Sequence, residues 1–286
     1  MKKLIYFFEY ILVYNLFIIF KIIGYRASSN LGFLIGKIFG FIFRPKSQII
    51  KNLENAKINL EQSKYEIAKK VLGNYGRIFA EYPHLKNFRN KKLNNFIKIE
   101  GKEYLEKIKK EKKTAVFISG HFNNFELMAM QLEMAGVNLA AIYRPLNNIF
   151  LNKTMENIRT KYICKKQIKK GRPGTRKLLE YLKKNHSVAL MIDQRVREGL
   201  KVNFFGNLAT TTTIPAQLIK KYKCELVPIY IERYNNYYFK MYISKPIKVS
   251  SSKSTQEITL FLNNILEKMI LKNPSQWIWT HDRWKN

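Results

Sequence analysis

From about residue 114 the chain alternates short apolar runs with amphipathic stretches, and this alternation limits the fold more than any other feature. TAVFIS (114–119), LAAIY (139–143), SVALMI (187–192), ELVPIYIER (225–233) and YYFKMYI (237–243) read as strands. Helical patterns follow over 124–134, on through about 162, over 176–184 and 213–222, and in a last long helix over 255–271. Apolar strands separated by helices predict an α/β domain with a largely parallel or mixed sheet. Upstream, residues 48–80 are predicted helical from apolar positions that include Leu53, Ile67, Val71 and Ile78.

The N-terminus reads MKKLIYFFEYILVYNLFIIFKIIGYR, and from Leu4 to Phe20 only Glu9, Asn15 and the tyrosines break the apolar run. That is near the length of about 20 residues that spans a bilayer. A signal peptide is the rival, but no small-x-small cleavage site follows. A second apolar segment, LGFLIGKIFGFIF (Leu31 to Phe43), suits an interfacial or core-docked helix; the plainer alternative makes both segments ordinary buried helices. Basic residues after the first run (Lys21, Arg26, Lys37, Arg44, Lys46, Lys51) outnumber those before it. The positive-inside rule then puts the bulk of the chain in the cytoplasm. The expected division is a membrane anchor and interfacial helix over 1–45 and a second domain over 46–286.

Charge is the compositional outlier, with 52 Lys+Arg against 20 Asp+Glu, a formal +32. Such a balance fits a polyanionic partner, whether nucleic acid, an anionic membrane or an acidic carrier protein. Compositional drift in a chain rich in Lys, Asn and Ile accounts for it equally well, so charge alone names no partner. Cys164 and Cys224 form no CxxC, and the four histidines are scattered, so no metal site is expected.

One stretch carries candidate chemistry. In SGHFNNFEL, His121 follows a predicted strand and Glu126 lies five positions on. Reactive groups of α/β sheets collect at the carboxyl ends of strands. Glu126 reaching back to His121 would make a general base with its orienting carboxylate. The competing reading is a capping box, Asn123-x-x-Glu126, in which the Glu turns to the N-cap amide.

The order of blocks after it bears on that choice. GHFNNFE is followed by AIYRPLNNIFLN (141–152), KKGRPGTRKLLEYL (169–182), SVALMIDQRVREGLKVNFFG (187–206) and a terminal WIWTHDRWK (277–285). In this order the chain resembles the late acyltransferases of lipid A biosynthesis over nearly its whole length. It departs from the family pattern at Asn123 and Phe125, which stand for Gly and Trp, at Ile149, which stands for Pro, and at Asp282-Arg283, which stand for paired basic residues.

The resemblance implies a glycerol-3-phosphate acyltransferase-like mixed sheet flanked by helices behind an N-terminal membrane-anchoring helix, with 46–286 as the acyltransferase domain. It implies transfer of a fatty acyl chain from acyl carrier protein or acyl-CoA to the hydroxyl of a 3-hydroxyacyl chain on an anionic glycolipid, a lipid A precursor. His121 would be the base and Glu126 its orienter, with no acyl-enzyme, no cofactor and no nucleic acid. The setting would be the bacterial inner membrane, with the catalytic domain facing the cytoplasm. Arg144 in YRP would bind a lipid phosphate or hold active-site charge, or else be a surface arginine. Asp193 and Gln194 end a strand facing the same crevice; Asp193 would order Arg144 or a pocket amide, or only form a turn. Lys170, Arg172 and Arg176 belong to a Gly-rich basic loop suited to an anion but lacking Walker spacing. Trp277, Trp279 and Trp284 fit either a membrane-interface anchor or a packed C-terminal segment. An acyltransferase for another lipid hydroxyl and a non-enzymatic basic protein remain as alternatives.

Overall fold

The computed structural model describes residues 1–250 and 252–285, and the side chain of Arg172 lies outside the described part. Five helices, α1 (Lys2–Ile23), α2 (Tyr25–Phe39), α3 (Lys46–Ala56), α4 (Lys64–Glu81) and α5 (Leu85–Arg89), precede β1 (Ile97–Glu100). Then come α6 (Lys102–Lys110), β2 (Ala115–Ser119), α7 (Glu126–Met134), β3 (Leu139–Tyr143) and α8 (Ile149–Ile158), which runs into a π-helical turn, Arg159–Ile163. Next are β4 (Lys166–Lys169), α9 (Arg172–Lys183), β5 (Ser187–Met191) and a hairpin of β6 (Leu200–Phe204) with β7 (Asn207–Thr211). The remaining elements are α10 (Ile214–Tyr222), β8 (Glu225–Tyr234), β9 (Tyr238–Ile243) and α11 (Thr255–Lys272).

Seven strands form one sheet in the order β1-β9-β8-β2-β5-β3-β4. Only β8 and β9 pair antiparallel, so the expected mixed sheet is the one that forms. All five residues of β2 are buried. Val116, Phe117 and Ile118 register with Val188, Ala189 and Leu190 on one side and with Leu226, Val227 and Pro228 on the other. Each such buried side chain contributes roughly 1.5–3 kcal/mol, which pins this strand at the centre. The order has a consequence for chemistry. β2, β5, β3 and β4 are consecutive and parallel, so the loops after their carboxyl ends meet along one edge.

The predicted helix over 48–80 is two helices. Lys57 takes a left-handed conformation, φ 48°, at the end of α3, and α4 restarts after Ser63, whose hydroxyl accepts the Glu66 N–H at 3.2 Å. The apolar segment 31–43 lies mostly in α2, which packs along α4 at close range. A β-carbon on Gly76 would come within 1.9 Å of the Gly32 carbonyl oxygen, and one on Gly36 within 2.4 Å of the Leu72 oxygen. The opposite face of this segment leaves Leu34, Ile38, Phe39, Phe41 and Phe43 exposed. It is therefore docked on one side and bare on the other. α1 is barer still: Leu4, Phe8, Leu12, Ile19 and Ile22 are exposed, and Phe20 is its one buried residue. At 1.5 Å per residue its 22 residues reach about 33 Å, enough to cross a hydrocarbon core of about 30 Å.

Candidate active site

β2 delivers the chain through Gly120 into a crowded turn. A β-carbon at Gly120 would lie 2.9 Å from Leu266 Cδ1 and 3.3 Å from Asp193 Oδ2, so a larger residue here must displace its neighbours. His121 comes next, at the carboxyl end of β2. Residue 193 follows β5, the strand beside β2, and so falls directly against His121 although 72 positions separate them. Asp193 Oδ1 accepts from His121 Nδ1 at 2.8 Å, and Oδ2 accepts the His121 backbone N–H at 2.8 Å and Trp277 Nε1–H at 2.9 Å. Three donors on a side chain with no exposed surface keep the carboxylate ionised and fixed. Burial alone would raise the Asp193 pKa, but the neighbouring imidazole and these hydrogen bonds hold it below the ordinary carboxyl value. For His121, burial works against the charged form, yet the Asp193 charge and hydrogen bond outweigh it and raise the pKa.

This arrangement corrects both expectations for Glu126. Its carboxylate turns neither to His121 nor to the Asn123 amide, which donates instead to the Gln276 carbonyl at 3.1 Å. Glu126 opens α7, and its Oε1 accepts Arg159 Nε–H at 2.9 Å, Arg159 Nη2–H at 2.8 Å and the Tyr82 hydroxyl. Arg159 comes from the π-helical turn after α8, and burial and then Glu126 push the Tyr82 hydroxyl pKa up. Two carboxylates thus stand at the site with different tasks. Asp193 holds the imidazole, while Glu126 holds an arginine and contributes to His121 only through its charge.

The turn that carries these groups is itself supported from below. Asn123 has φ 43°, a left-handed conformation that asparagine tolerates and glycine adopts freely. That accounts physically for Asn at a position where the resembled pattern has Gly. Asn124 Nδ2–H donates at 3.0 Å to Glu81, whose carboxylate is fully buried and is gripped by Arg233 at 2.6 and 3.0 Å. Trp277 and Trp279 are buried, so the packed reading holds for them and the interface reading does not.

Two cavities meet at His121. The smaller, about 190 Å³, runs under the strand ends between Ala129, Ala141, Ala189, Ile163 and Pro215 and is mostly apolar. The larger, about 420 Å³, lies towards α4 and the C-terminal segment and is lined by Arg44, Asn74, Ile78, Leu146, Thr280 and His281. His121, Phe125, Arg144 and Gln194 line both. Lys170 lines the smaller one, where its surroundings and then the Arg144 charge press its ammonium pKa below the ordinary value. Arg176 is exposed on α9 and lines neither cavity. Nothing in the sequence marked Arg159 or Tyr82, and Asp193 was visible only as a strand-end acid without its partner.

With Nδ1 spent on Asp193, Nε2 of His121 is the nitrogen left to take a proton, and His121 stands where the two cavities meet. That is the equipment of a general-base group transferase. The chain belongs to the bacterial lipid A biosynthesis acyltransferases, whose family model it matches over residues 1–286. It is 25% identical over 272 residues to the lipid A biosynthesis palmitoleoyltransferase of Escherichia coli (strain K12), covering 91% of this chain and 86% of that protein. The lipid A biosynthesis acyltransferase of Shigella flexneri matches with the same identity and coverage. The protein is an acyltransferase, and the family resemblance read from its ordered blocks holds.

Proposed function

We infer that the protein moves a fatty acyl chain from an acyl carrier protein or acyl-CoA thioester to the hydroxyl of a 3-hydroxyacyl chain on a lipid A precursor. One observation carries the mechanism: the buried Asp193 carboxylate binds both the ring and the backbone of His121, leaving Nε2 at the meeting of two cavities. In the step itself, Nε2 takes the acceptor hydroxyl proton as that oxygen bonds to the thioester carbonyl carbon. The tetrahedral oxyanion collapses, the carbon–sulfur bond breaks, and the Nε2 proton passes to the departing thiolate. The Asp193 charge stabilises the imidazolium between these events. Neither cysteine is required as a nucleophile, and both are buried.

The smaller, apolar cavity suits the acyl chain of the donor, and the larger one suits the glycolipid. Arg144, common to both, and Lys170 supply positive charge for an acceptor phosphate or the carrier's acidic surface. Residues 1–45 act as the anchor and 46–286 as the acyltransferase domain, on the cytoplasmic side of an inner membrane. The exposed apolar faces of α1 and α2 support membrane attachment, and the formal charge of +32 supports anionic partners. The test is acyl transfer from carrier thioester to tetra-acyl precursor by membranes holding wild type or His121→Ala. Transfer is expected to fall by about 10²–10⁴-fold in the variant. Near-wild-type transfer by folded, membrane-bound His121→Ala would sink this reading.

A further inference from the structure

The C-terminal turn brings a second imidazole to the site. His281 lines the larger cavity together with His121, Gln194 and Thr280. Its Nε2 accepts the Arg195 backbone N–H at 3.0 Å. A backbone amide only donates, so this bond requires Nε2 to be unprotonated and places the hydrogen of the neutral ring on Nδ1. The partner thereby settles the tautomer. The surroundings also keep the ring neutral: burial lowers its pKa, and the charges of Arg283, His121 and Lys170 oppose the pull of Asp193. No described residue accepts the Nδ1 hydrogen.

The turn is clamped on several sides. Asn52, buried in α3, donates through Nδ2 to the Trp279 carbonyl at 2.6 Å and to the His281 carbonyl at 2.7 Å. The Tyr75 hydroxyl pairs with Thr280 Oγ1 at 2.6 Å, and Arg195 Nε–H donates to the Lys285 carbonyl at 2.8 Å. The ring therefore stands on a fixed backbone, with one nitrogen satisfied and one proton to offer. A neutral donor suits this place for an electrostatic reason. A fixed cation near His121 would disfavour its imidazolium and weaken the base, whereas an uncharged N–H adds a hydrogen bond without that cost.

The geometry points to His281 Nδ1–H as a hydrogen-bond donor to an oxygen of the glycolipid acceptor in the larger cavity. It is a substrate-positioning group, acting beside the base rather than through it. This rests on the assignment of the larger cavity to the acceptor.

Two amide replacements separate the donor from the structural role. A glutamine amide reaches the place of Nε2 and keeps a partner for the Arg195 N–H while losing the Nδ1 donor. An asparagine amide stands near Nδ1 and restores a donor there. Steady-state transfer is measured with tetra-acyl lipid A precursor and acyl carrier thioester varied separately. His281→Gln is expected to raise KM for the precursor roughly three- to tenfold, the worth of one hydrogen bond, with the thioester KM unchanged. His281→Asn is expected to recover most of that loss. The proposal is overturned if His281→Gln behaves as wild type, if His281→Asn is the more impaired of the two, or if the change falls on the thioester KM. His121→Ala in the same assay separates the failures: an inactive His121→Ala beside an unaffected His281→Gln removes only the role of His281. A second readout does not depend on variants folding. In wild type labelled at histidine nitrogen, the Nδ1–H signal of His281 is expected to move on adding the precursor alone, and no response would also overturn the proposal.

Discussion

Asp193 decides the state of His121, and that has a kinetic signature. In the proposed mechanism His121 works only when Nε2 is unprotonated, so kcat/KM is expected to rise with pH through the His121 pKa and level off above it. That pKa is held above the ordinary histidine value, principally because the Asp193 charge and hydrogen bond outweigh burial. The midpoint of the rise is therefore expected above the usual imidazole value in wild type. In Asp193→Asn it should move to lower pH, since burial then acts without the opposing charge, while the plateau falls because the tautomer is no longer fixed. A pH–rate series on both proteins checks this; a midpoint that stays put would separate the titrating group from this pair. His121 was legible from the sequence because it follows an apolar run and sits in a short block of recognisable order. Its partner was not. The sequence offered a carboxylate five residues away, and the fold supplied one 72 residues away through the adjacency of β2 and β5. Spacing along the chain reports helix neighbours well and strand neighbours hardly at all.

Among the elements, α2 and α4 pack backbone against backbone. Their glycines let the two backbones touch, so any side chain there forces the helices apart. Gly76→Ala is expected to cost about 1–3 kcal/mol, the usual range for overpacking, and to lower Tm in detergent. Gly206→Ala serves as a comparison, because a β-carbon there meets nothing within 4 Å, although its φ of 74° makes the substitution strained for a different reason. Equal thermal shifts would show that the helix crossing adds nothing beyond backbone strain. Legibility at this scale follows burial. The central strands β2, β3 and β5 fall where the apolar runs are, since a strand with neighbours on both sides must be apolar on both faces. The edge strands β1, IKIE, and β4, KQIK, do not stand out in the sequence, because two of four residues in the first and three of four in the second are polar or charged. The β6–β7 hairpin is equally hidden in the sequence, its alternation running over only five residues in each strand. The break between α3 and α4 was hidden by Ile58 and Leu60, which continue the apolar spacing through a loop.

For the molecule as a whole, two features support the proposed membrane attachment, an excess of basic residues and bare apolar helix faces. They respond differently to salt, because the Debye length falls to about 3 Å at 1 M while apolar burial is not screened. Membranes carrying wild type are expected to keep the protein through a high-salt wash. Leu12→Asp combined with Ile19→Asp, on the exposed face of α1, should let the same wash release it. Release of wild type by salt alone would assign attachment to charge. α1 also reaches the catalytic half: Asn148, which caps α8, donates through Nδ2 to the Tyr6 carbonyl at 2.8 Å and to Glu9 at 2.9 Å. α1 is thus fastened to the loop that carries Arg144, the arginine that lines both cavities.

The assignment of Asp193, and not Glu126, as the partner of His121 is tested most directly by the low-field proton spectrum of the imidazole. A histidine Nδ1–H bonded to a buried carboxylate gives a resonance well downfield of the amide region. That resonance is expected in wild type and in Glu126→Gln and is expected to be missing from Asp193→Asn. Its survival in Asp193→Asn together with its loss in Glu126→Gln would contradict the geometry on which the mechanism stands.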